Sequence, residues 1–389
     1  MRTQRYDALV VGARCAGAAT AMLMARRGMK VLAIDRAAYG ADTISTHALM
    51  RGAVVQLHRW GVLPRLREMA TPAVRSTSFH YGAEPPVTIP IRPVEGVDGL
   101  YAPRRTVLDS ALADATVEAG AELRHGHALL ALLREGGAGE RVSGAVVLDA
   151  DGRTLRVEAP LVVGADGVAS AVARLVEAPV LVAGQAATAV IYGYWSGIDW
   201  AEGFHWHYVP GASVGLIPTN AGQHCVFAAL PPARLRAAQG GAEAAAALHA
   251  AVLREAAPAL AEAVAAGQRD SRLYAFAGRP GFMRRCHGPG WALVGDAGYF
   301  KDPLTAHGIT DALRDAELLA NAAAAGTEAA MARYAAQRDA LSAPLFRATE
   351  AIARLDWDLE TLKGLHQDLH AAMKREVAAL SSLVEETTP

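Results

Sequence analysis

Three turns rich in small residues each follow a short apolar run, and two of these turns contain an acid. They are Gly12–Gly17, Gly164–Gly167 with Asp166, and Gly295–Gly298 with Asp296. Small-residue turns after buried strands are the places where the carboxyl edge of a parallel sheet receives a ligand. A single nucleotide needs only one such turn. Three of them predict a long cofactor lying across the sheet edge, with its far end placed by the second and third turns.

The first turn belongs to a strand–helix–strand unit that runs from Tyr6 to Arg36. Gly12 allows a tight turn out of the first strand, and Gly17 lets the helix lie close to the sheet. The N–H groups at the helix start can hold a pyrophosphate, because the helix dipole is positive there. Asp35 follows Gly12 by 23 residues, where a carboxylate is expected to accept hydrogen bonds from an adenosine ribose.

Arg14 takes the place of the middle glycine in the pattern GxGxxG. Either the turn sits slightly farther from the phosphates, or the guanidinium itself helps to neutralise the pyrophosphate. One degenerate glycine motif is a weak signal, so an ordinary βαβ crossover without a ligand is the alternative for this unit. The two further turns favour a cofactor site.

The composition indicates a globular protein with one large domain or two closely joined domains. Of 389 residues, 52% are hydrophobic and 20% are charged, which excludes a disordered chain. The net charge of −1 gives no reason to expect nucleic acid or an anionic membrane as a partner. Three widely separated cysteines argue against a disulfide framework or a zinc site and fit a reducing compartment. With neither a signal peptide nor a membrane-spanning run recognised, we expect a cytoplasmic protein.

Apolar spacing predicts the remaining elements. Residues 43–63 have helical spacing that ends at Gly61, and another helix is expected to begin at Arg105. Short β-type runs predict a second, mostly antiparallel sheet outside the nucleotide domain. The predicted division is 1–72, 102–180 and 272–325 for the nucleotide-binding domain, 73–101 and 181–271 for a substrate-binding β-sheet domain, and 326–389 for C-terminal helices.

The second sheet contains the aromatic part of the chain. Its aromatic side chains either form the wall of a substrate cavity or pack in the core: Tyr192, Tyr194, Trp206 and Tyr208. His205 and His207 stand two residues apart on a predicted strand and therefore share one face. They line the cavity or form a surface pair. Without a third ligand in the sequence we predict no metal site there.

Taken in this order, the motifs resemble those of the FAD-dependent oxidoreductases of the aromatic hydroxylase (group A flavin monooxygenase) superfamily. The resemblance covers nearly the whole chain. It rests on the glycine turn with Asp35 and Arg36, on Arg105 opening a helix as RxxL, on the GADG turn, and on the GDA turn followed by Pro303 and Gly308. It implies an α/β fold, with a Rossmann-type FAD-binding domain interleaved with the β-sheet substrate domain and followed by a C-terminal helical segment.

The resemblance also implies which residues hold FAD. The helix after Pro303 would point its N-terminus at the flavin ring, where the helix dipole stabilises the negative charge of the reduced ring. The implied contacts are Gly12, Ala13, Arg14, Ala16 and Gly17 at the pyrophosphate, Asp35 at the ribose, Arg105 near the ribityl chain, Asp296 at the ribitol or phosphate, and Gly308 and Ile309 at the start of the helix that faces the ring. The resemblance also names Arg36, Asp166, Gly295 and Pro303 as cofactor-binding residues.

His47 and His307 fall in segments that the family places beside the flavin ring. Either histidine orients a substrate hydroxyl or takes its proton, or has only a structural role. Lys301, in the turn at the flavin edge, is expected to face solvent.

Departures from the family pattern indicate a side branch. Ala173 stands where the family has an arginine, Ala306 replaces the first glycine of GxG, and the usual histidine after GDA is missing. With these departures the chain resembles the geranylgeranyl reductase-type and flavin halogenase branches of the superfamily. Halogenases carry WxWxIP, whereas both tryptophans are histidine here, at His205 and His207. This difference argues against halogenation.

The function implied by the resemblance is that of a monooxygenase. NAD(P)H, as a transient reductant, would reduce FAD, and O2 would add at C4a to give a hydroperoxide that hydroxylates a small aromatic or polycyclic substrate. The altered turns keep open an FAD-dependent dehydrogenase or double-bond reductase that inserts no oxygen. A non-catalytic FAD- or nucleotide-binding regulatory protein is the third hypothesis. The expected partners are an organic small molecule and O2, and the expected assembly is a monomer or homodimer.

Overall fold

Four β-sheets organise this computed structural model, which describes residues 2–94, 96–136, 141–238 and 240–385. The helices are α1 (Cys15–Ala25), α2 (Arg51–Arg59), α3 (Leu63–Glu68), α4 (Arg105–Glu118), α5 (Ala171–Leu175), α6 (Pro232–Ala237), α7 (Gly241–Ala256), α8 (Pro258–Ala266), α9 (Gly308–Ala325), α10 (Glu328–Ala353) and α11 (Leu359–Glu385). Short 3-10 turns lie at Asn220–Gly222, Gly295–Ala297 and Pro303–Thr305.

The strands are β1 (Arg2–Arg5), β2 (Ala8–Val11), β3 (Val31–Asp35), β4 (Ser76–Tyr81), β5 (Val87–Pro90), β6 (Glu122–His125), β7 (Ala128–Glu135), β8 (Arg141–Leu148), β9 (Thr154–Glu158), β10 (Leu161–Gly164), β11 (Val180–Ala183), β12 (Ala189–Ser196), β13 (Phe204–Val209), β14 (Ala212–Pro218), β15 (His224–Leu230), β16 (Gln268–Arg269), β17 (Tyr274–Phe276), β18 (Phe282–Arg284), β19 (His287–Gly288), β20 (Trp291–Leu293) and β21 (Tyr299–Phe300).

The central sheet has the order β19-β20-β10-β2-β3-β6, and all of its pairs except β19–β20 are parallel. Every residue of β2 and β3 is buried, as expected for parallel strands covered on both faces. Helices α1, α4 and α9 cover one face. The sheet β1-β9-β8-β7 covers the other face, where Leu9 and Leu32 pack against Val147 and Val157. This architecture confirms the predicted α/β fold.

The largest sheet has the order β16-β12-β15-β14-β13-β4-β5, with β17 also paired to β12. All its pairs are antiparallel except β13–β4, which agrees with the predicted mostly antiparallel sheet. One face meets the core that includes α1 and α9, and the other packs under α7 and α8. Strands from both predicted segments, 73–101 and 181–271, therefore share one sheet, which β17 joins from beyond residue 271. The fourth and smallest sheet has the order β11-β18-β21.

The helix predicted over residues 43–63 is wrong in its first part, because α2 begins only at Arg51. The preceding loop bends at His47, whose φ is +48°. Leu49 then makes a backbone bridge to Tyr101, and the N–H of His47 donates to Ser45 Oγ at 3.0 Å. These contacts tie the loop to neighbouring segments and keep it out of the helix.

The C-terminal segment forms α10 and α11, as predicted, and residues 386–389 lie outside the described part. Helix α11 packs on the large sheet through His366, whose Nδ1 lies 2.8 Å from the Tyr81 hydroxyl. Farther along the same helix, Glu376 reaches α9. Within the described residues no helix is both long enough and apolar enough to span a bilayer. All three cysteines are buried and reduced.

Candidate active site

The three small-residue turns meet at one edge of the central sheet, as predicted. Strand β10 lies between β2 and β20, and all three run parallel, so their carboxyl ends lie side by side. Gly12 has φ +97°, and a Cβ on it would lie 2.4 Å from the Ala165 carbonyl oxygen. A Cβ on Gly17 would lie 1.7 Å from the Gly12 carbonyl oxygen. Only glycine fits at either position, which brings the start of α1 against the sheet edge.

Asp35 links the end of β3 to the first turn. Its Oδ2 accepts the N–H of Ala13 and its Oδ1 accepts the N–H of Ala37, both at 2.8 Å. The amide of Ala13 is therefore already used within the protein, while the carboxylate keeps further lone pairs for a ribose. Arg36 is exposed. A cleft beside Asp35 is lined by Ala13, Arg14, Asp35, Ala37, Ala38, Tyr39, Gly40, Ala41, Asp109, Ala113 and His125.

Two arginines and one acid flank the start of α1. Arg105 binds both oxygens of Asp109 at 3.0 Å, and Asp109 also accepts from the Cys15 thiol at 3.0 Å. Arg14 approaches Asp109 only at 3.8 Å, and its buried Nη1 finds no hydrogen-bond partner in the described residues. A buried guanidinium N–H without a partner fits an anionic ligand such as a pyrophosphate. Asp109 was missed by the sequence analysis, because an acid inside a helix carries no positional signal.

The Asp166 side chain of the second turn is hydrogen-bonded within the protein. Its carboxylate accepts the hydroxyl of Ser170 and the N–H groups of Ala171, at 2.6 Å, and Val172, at 3.2 Å. These bonds satisfy the N–H groups that open α5. The structure thus commits the Asp166 side chain to capping α5 and leaves the backbone of the turn to face the sheet edge.

The third turn packs α1 against α9. A Cβ on Gly295 would lie 3.1 Å from the Ala16 Cβ and 3.2 Å from the Ala312 Cβ, so glycine permits the close approach of the two helices. The Gly295 N–H donates to Asp315 at 3.2 Å. The neighbouring Asp296 is half-buried, and burial raises the pKa of its carboxyl to about 6.

The segment that enters α9 is held in a strained turn. Asp302 accepts the N–H of Leu304 at 3.0 Å, and Pro303 starts a 3-10 turn. Ala306 closes it with φ +49°, the left-handed conformation that glycine adopts easily. A non-glycine residue thus takes a conformation that favours glycine, at the position where the family pattern has the first glycine of GxG. Helix α9 then begins at Gly308.

Lys301 does not face solvent, which corrects the sequence expectation. It is 5% exposed, and its ammonium forms an ion pair with Asp311. Arg314 binds the other oxygen of Asp311 at 2.9 Å and Glu376 at 2.8 Å. Burial lowers the pKa of Lys301 to about 7. The expectation failed because the ion pairs of Lys301 and Arg314 with Asp311 and Glu376 form through tertiary packing, which no local sequence pattern indicates.

The two candidate catalytic histidines differ in whether a ring nitrogen is left without a hydrogen-bond partner in the described residues. His47 is buried, and its pKa falls to about 3 because of burial and the nearby Arg104 cation. Its Nδ1 donates to the Ala102 carbonyl and its Nε2 accepts from the Tyr194 hydroxyl, both at 3.1 Å. His307 has its Nε2 2.6 Å from Glu376, while its buried Nδ1 has no partner in the described residues.

Most aromatic residues of β12 and β13 face the core that includes α1 and α9, whereas Trp195 packs on the opposite face of the sheet. Tyr192 stacks on Tyr274 with ring centroids 5.1 Å apart, and Tyr194 meets Tyr192 edge to face at 6.0 Å. The Arg104 guanidinium lies 3.5 Å from the centroid of the Tyr194 ring. The Ser45 N–H donates to the Tyr192 hydroxyl at 3.0 Å. The loop that follows β3 is thus fastened to these tyrosines, whereas Trp206 and Tyr208 pack farther along the same core.

His205 and His207 lie on the opposite face of this sheet. Side chains alternate along β13, and these two histidines contact Trp200 and the outer core under α7, away from Tyr192 and Tyr194. They are 4% and 7% exposed, so they are not a surface pair. The sequence missed His80, which stacks on His207 at 3.9 Å and hydrogen-bonds to His205 at 3.2 Å. The structure does not bring the two histidines to the tyrosine face.

Three buried groups near the start of α9 have the composition of a metal site. Ligand atoms of His307, Asp311 and Glu376 lie within 4.8 Å of one another. Both carboxylates are, however, already bound by the Lys301 ammonium or the Arg314 guanidinium. The two cations supply the positive charge that a metal ion would bring, so the geometry is that of an ion-pair network.

Comparisons with known proteins agree on one family. The model of a family described as FAD binding domain matches residues 5–349. Squalene monooxygenase from Candida glabrata is 33% identical over 120 residues, which cover 30% of this chain and 24% of that enzyme. The match thus spans about a quarter of that relative's length.

Solved structures share the fold over most of the chain. The flavin-dependent brominase Bmp2 superposes with a TM-score of 0.80 at 17% identity, covering 98% of this chain and 99% of that one. PqsL from P. aeruginosa, in complex with 2-aminobenzoylacetate, superposes with a TM-score of 0.78 at 20% identity, covering 94% of this chain and 100% of that one. The myxobacterial chondrochloren halogenase CndH superposes with a TM-score of 0.74 at 23% identity, covering 85% of this chain and 78% of that one. At these identities the likeness shows the fold.

Proposed function

The chain belongs to this FAD-binding-domain family of oxidoreductases, and from that premise we propose that it is a monooxygenase using NAD(P)H and O2 to hydroxylate a small aromatic or polycyclic substrate. The observation that carries the proposal is the connection between the cofactor edge and the tyrosine face. The loop after β3 bonds Tyr192 through Ser45 and Tyr194 through His47. A ring held on these tyrosines would lie next to the bound cofactor.

The residues present fit FAD. We assign the pyrophosphate to Gly12, Gly17 and the N–H groups that open α1, with the unpartnered Arg14 N–H beside it. Asp35 would accept from the ribose, and the N-terminus of α9 would face the flavin ring. Bound FAD would supply the redox chemistry, taking a hydride from NAD(P)H and activating O2.

The protein's own contribution is orientation and exclusion of water. Tyr192 and Tyr194 are each 2% exposed and pack with Tyr274 as one aromatic cluster. In the proposal, the ring of the substrate would lie against this cluster, and the tyrosine hydroxyl groups would supply hydrogen bonds to a polar substituent. The Tyr194 hydroxyl is oriented by His47, which is neutral and uses both ring nitrogens. His47 therefore positions Tyr194, while the free nitrogen of His307 is the candidate for proton transfer.

The test is isotope incorporation. The purified protein, reconstituted with FAD, is given NADPH or NADH under 18O2 with a panel of phenols, aromatic acids and polycyclic phenols, in buffer containing bromide and chloride. We expect one 18O atom in a hydroxylated product and no halogenated product. A product that forms equally well without oxygen would assign the protein to the dehydrogenases or double-bond reductases instead. A halogenated product would assign it to the halogenases.

A further inference from the structure

Helix α11 contributes one carboxylate to the charge cluster at the start of α9. Glu376 lies 2.6 Å from His307 Nε2 and accepts from Arg314 Nη1 at 2.8 Å. Glu376 is 0% and His307 1% exposed, so neither interaction is shared with bulk solvent. The region matched by the family model ends at residue 349, and α11 lies beyond it. Glu376 therefore lies outside the residues that the family model matches.

The contact with Glu376 fixes the proton on His307. Burial opposes ionisation of Glu376, but the hydrogen bond from His307 and the cations Arg314 and Lys301 outweigh it and lower the pKa of this carboxyl. An ionised carboxylate only accepts hydrogen bonds, so Nε2 of His307 carries the hydrogen and Nδ1 keeps its lone pair. Nδ1 is buried and has no partner in the described residues. Buried polar atoms are nearly always paired, so this nitrogen needs a partner from outside the chain.

The charge cluster at the start of α9 has one more negative than positive charge, so one added proton would neutralise it. With a neutral imidazole and a protonated Lys301 ammonium, three carboxylates face two cations: Asp311, Asp315 and Glu376 against Lys301 and Arg314. Helix α2 places the uncharged Gly52 near Glu376, since a Cβ on Gly52 would lie 3.8 Å from Glu376 Oε2. Asp296 interacts electrostatically with both Lys301 and Arg105. Burial lowers the pKa of His307 and Glu376 opposes this shift, so the resting imidazole is neutral.

We propose that Glu376 is a positioning residue, and that it holds His307 so that Nδ1 takes up one proton whenever the cofactor beside α9 is reduced. The inference rests on the proposed placement of the flavin ring at the N-terminus of α9. A hydride brings two electrons and one proton, so its acceptor gains one negative charge. One further proton from solvent, bound at Nδ1, balances that charge. The imidazolium is then stabilised by the Glu376 carboxylate, and it returns its proton to solvent when the cofactor is reoxidised.

The proposal is tested by counting protons in a reductive titration of the FAD-loaded protein. The midpoint potential is measured with dithionite and redox dyes between pH 7 and pH 9, which needs neither NAD(P)H nor a substrate. Its pH dependence gives the number of protons taken up per two electrons. We expect two protons for the natural protein and one for His307→Gln. We expect one for Glu376→Gln, because the imidazolium loses its counter-ion, and a return towards two for Glu376→Asp.

Glu317→Gln is the matched control, because Glu317 is a buried acid of α9 that pairs with Arg59 at 2.7 Å and has no contact with His307. We expect it to keep two protons. All variants should bind FAD within threefold of the natural protein. Two protons in His307→Gln would overturn the proposal, as would one proton in the natural protein. If no variant of Glu376 folds, His307→Gln alone decides. Failure of the proposed function would appear separately, as absence of FAD binding or of oxygen incorporation by the natural protein.

Discussion

The two ends of the proposed FAD site are built in different ways. At the pyrophosphate end, backbone atoms approach each other so closely that Gly12 and Gly17 admit no side chain. At the ring end, the turn into α9 is held by buried charged side chains that come from separate segments, with Lys301 on one side and Glu376 of α11 on the other. Steric fit fixes the first end, and charge balance fixes the second.

This difference determines how each end responds to substitution. A steric contact fails as soon as one carbon atom is added, because the backbone cannot move away. A buried ion-pair network fails when one charge is removed, because its partners remain buried and uncompensated. The pyrophosphate end should therefore lose ligand binding first, and the ring end should lose stability first.

The largest effect is expected from Gly12→Ala. Its Cβ would lie 2.4 Å from the Ala165 carbonyl oxygen, so the turn must open and displace the start of α1. We predict at least a 100-fold loss of FAD affinity, or roughly 2.7 kcal/mol, measured by flavin fluorescence quenching. Gly28→Ala is the control, because Gly28 also has positive φ, +82°, but open space around its Cβ position. An equal loss of affinity in both variants would show that backbone strain, and not the contact, is responsible.

Next comes Arg314→Met, which removes one cation from the ring end. Asp311, Asp315 and Glu376 would then lose bonds of 2.8–2.9 Å in a fully buried setting. We predict a loss of about 3–5 kcal/mol in the unfolding free energy of the protein without FAD, measured in urea. Arg354→Met, which breaks an exposed ion pair, should cause no measurable change. Unchanged stability of Arg314→Met would contradict the ion-pair account of this end.

A smaller effect is expected from the pH dependence of Asp296. Burial raises the pKa of its carboxyl to about 6, while Lys301 and Arg105 oppose the shift. Because the folded protein holds this proton more tightly than the unfolded chain, the stabilisation is full below about pH 4 and is lost as the pH rises to about 6. Relative to Asp296→Asn, the natural protein without FAD should lose roughly 1–2 kcal/mol over this range. Urea titrations at several pH values measure it, and a parallel pH dependence in both proteins would contradict it.

The smallest effect is expected from Ala306→Gly. Ala306 has φ +49°, a conformation that costs alanine more than glycine. We predict a gain of about 0.5–1 kcal/mol in stability, measured by thermal unfolding. Ala221→Gly, at φ +60° in the β14–β15 connection, should give a similar gain. A loss of stability in Ala306→Gly alone would mean that the methyl group packs usefully at the ring end.

The difference between the two ends of the FAD site also explains which of their features could be predicted from the sequence. Glycine turns and apolar runs reflect backbone constraints, so the central sheet, α1 and the meeting of the three turns were predictable. Lys301 was placed in solvent because no local pattern indicates that Asp311 covers it. Glu376 could not be recognised, because it is one acid in a long helix and meets His307 only through tertiary packing.

The substrate side shows the same limit. The alternation of β13 predicted that His205 and His207 share a face, and they do, but it did not tell which face meets the cofactor edge. That choice depends on where α7 packs, which is a tertiary property. The helix predicted over residues 43–63 failed for a related reason, since the bend at His47 is held by contacts with Ala102 and Tyr194.

The most direct test of the account is the visible spectrum of the purified protein during anaerobic addition of NADPH and then NADH. We predict flavin absorption corresponding to one FAD per chain, bleaching with at least one of the two nicotinamides, and return of the oxidised spectrum when air is admitted. Absence of flavin absorption even after incubation with FAD would contradict the assignment of the turn at Gly12 to an FAD site. Bound flavin that neither nucleotide bleaches, with or without aromatic substrates present, would contradict the proposed use of NAD(P)H.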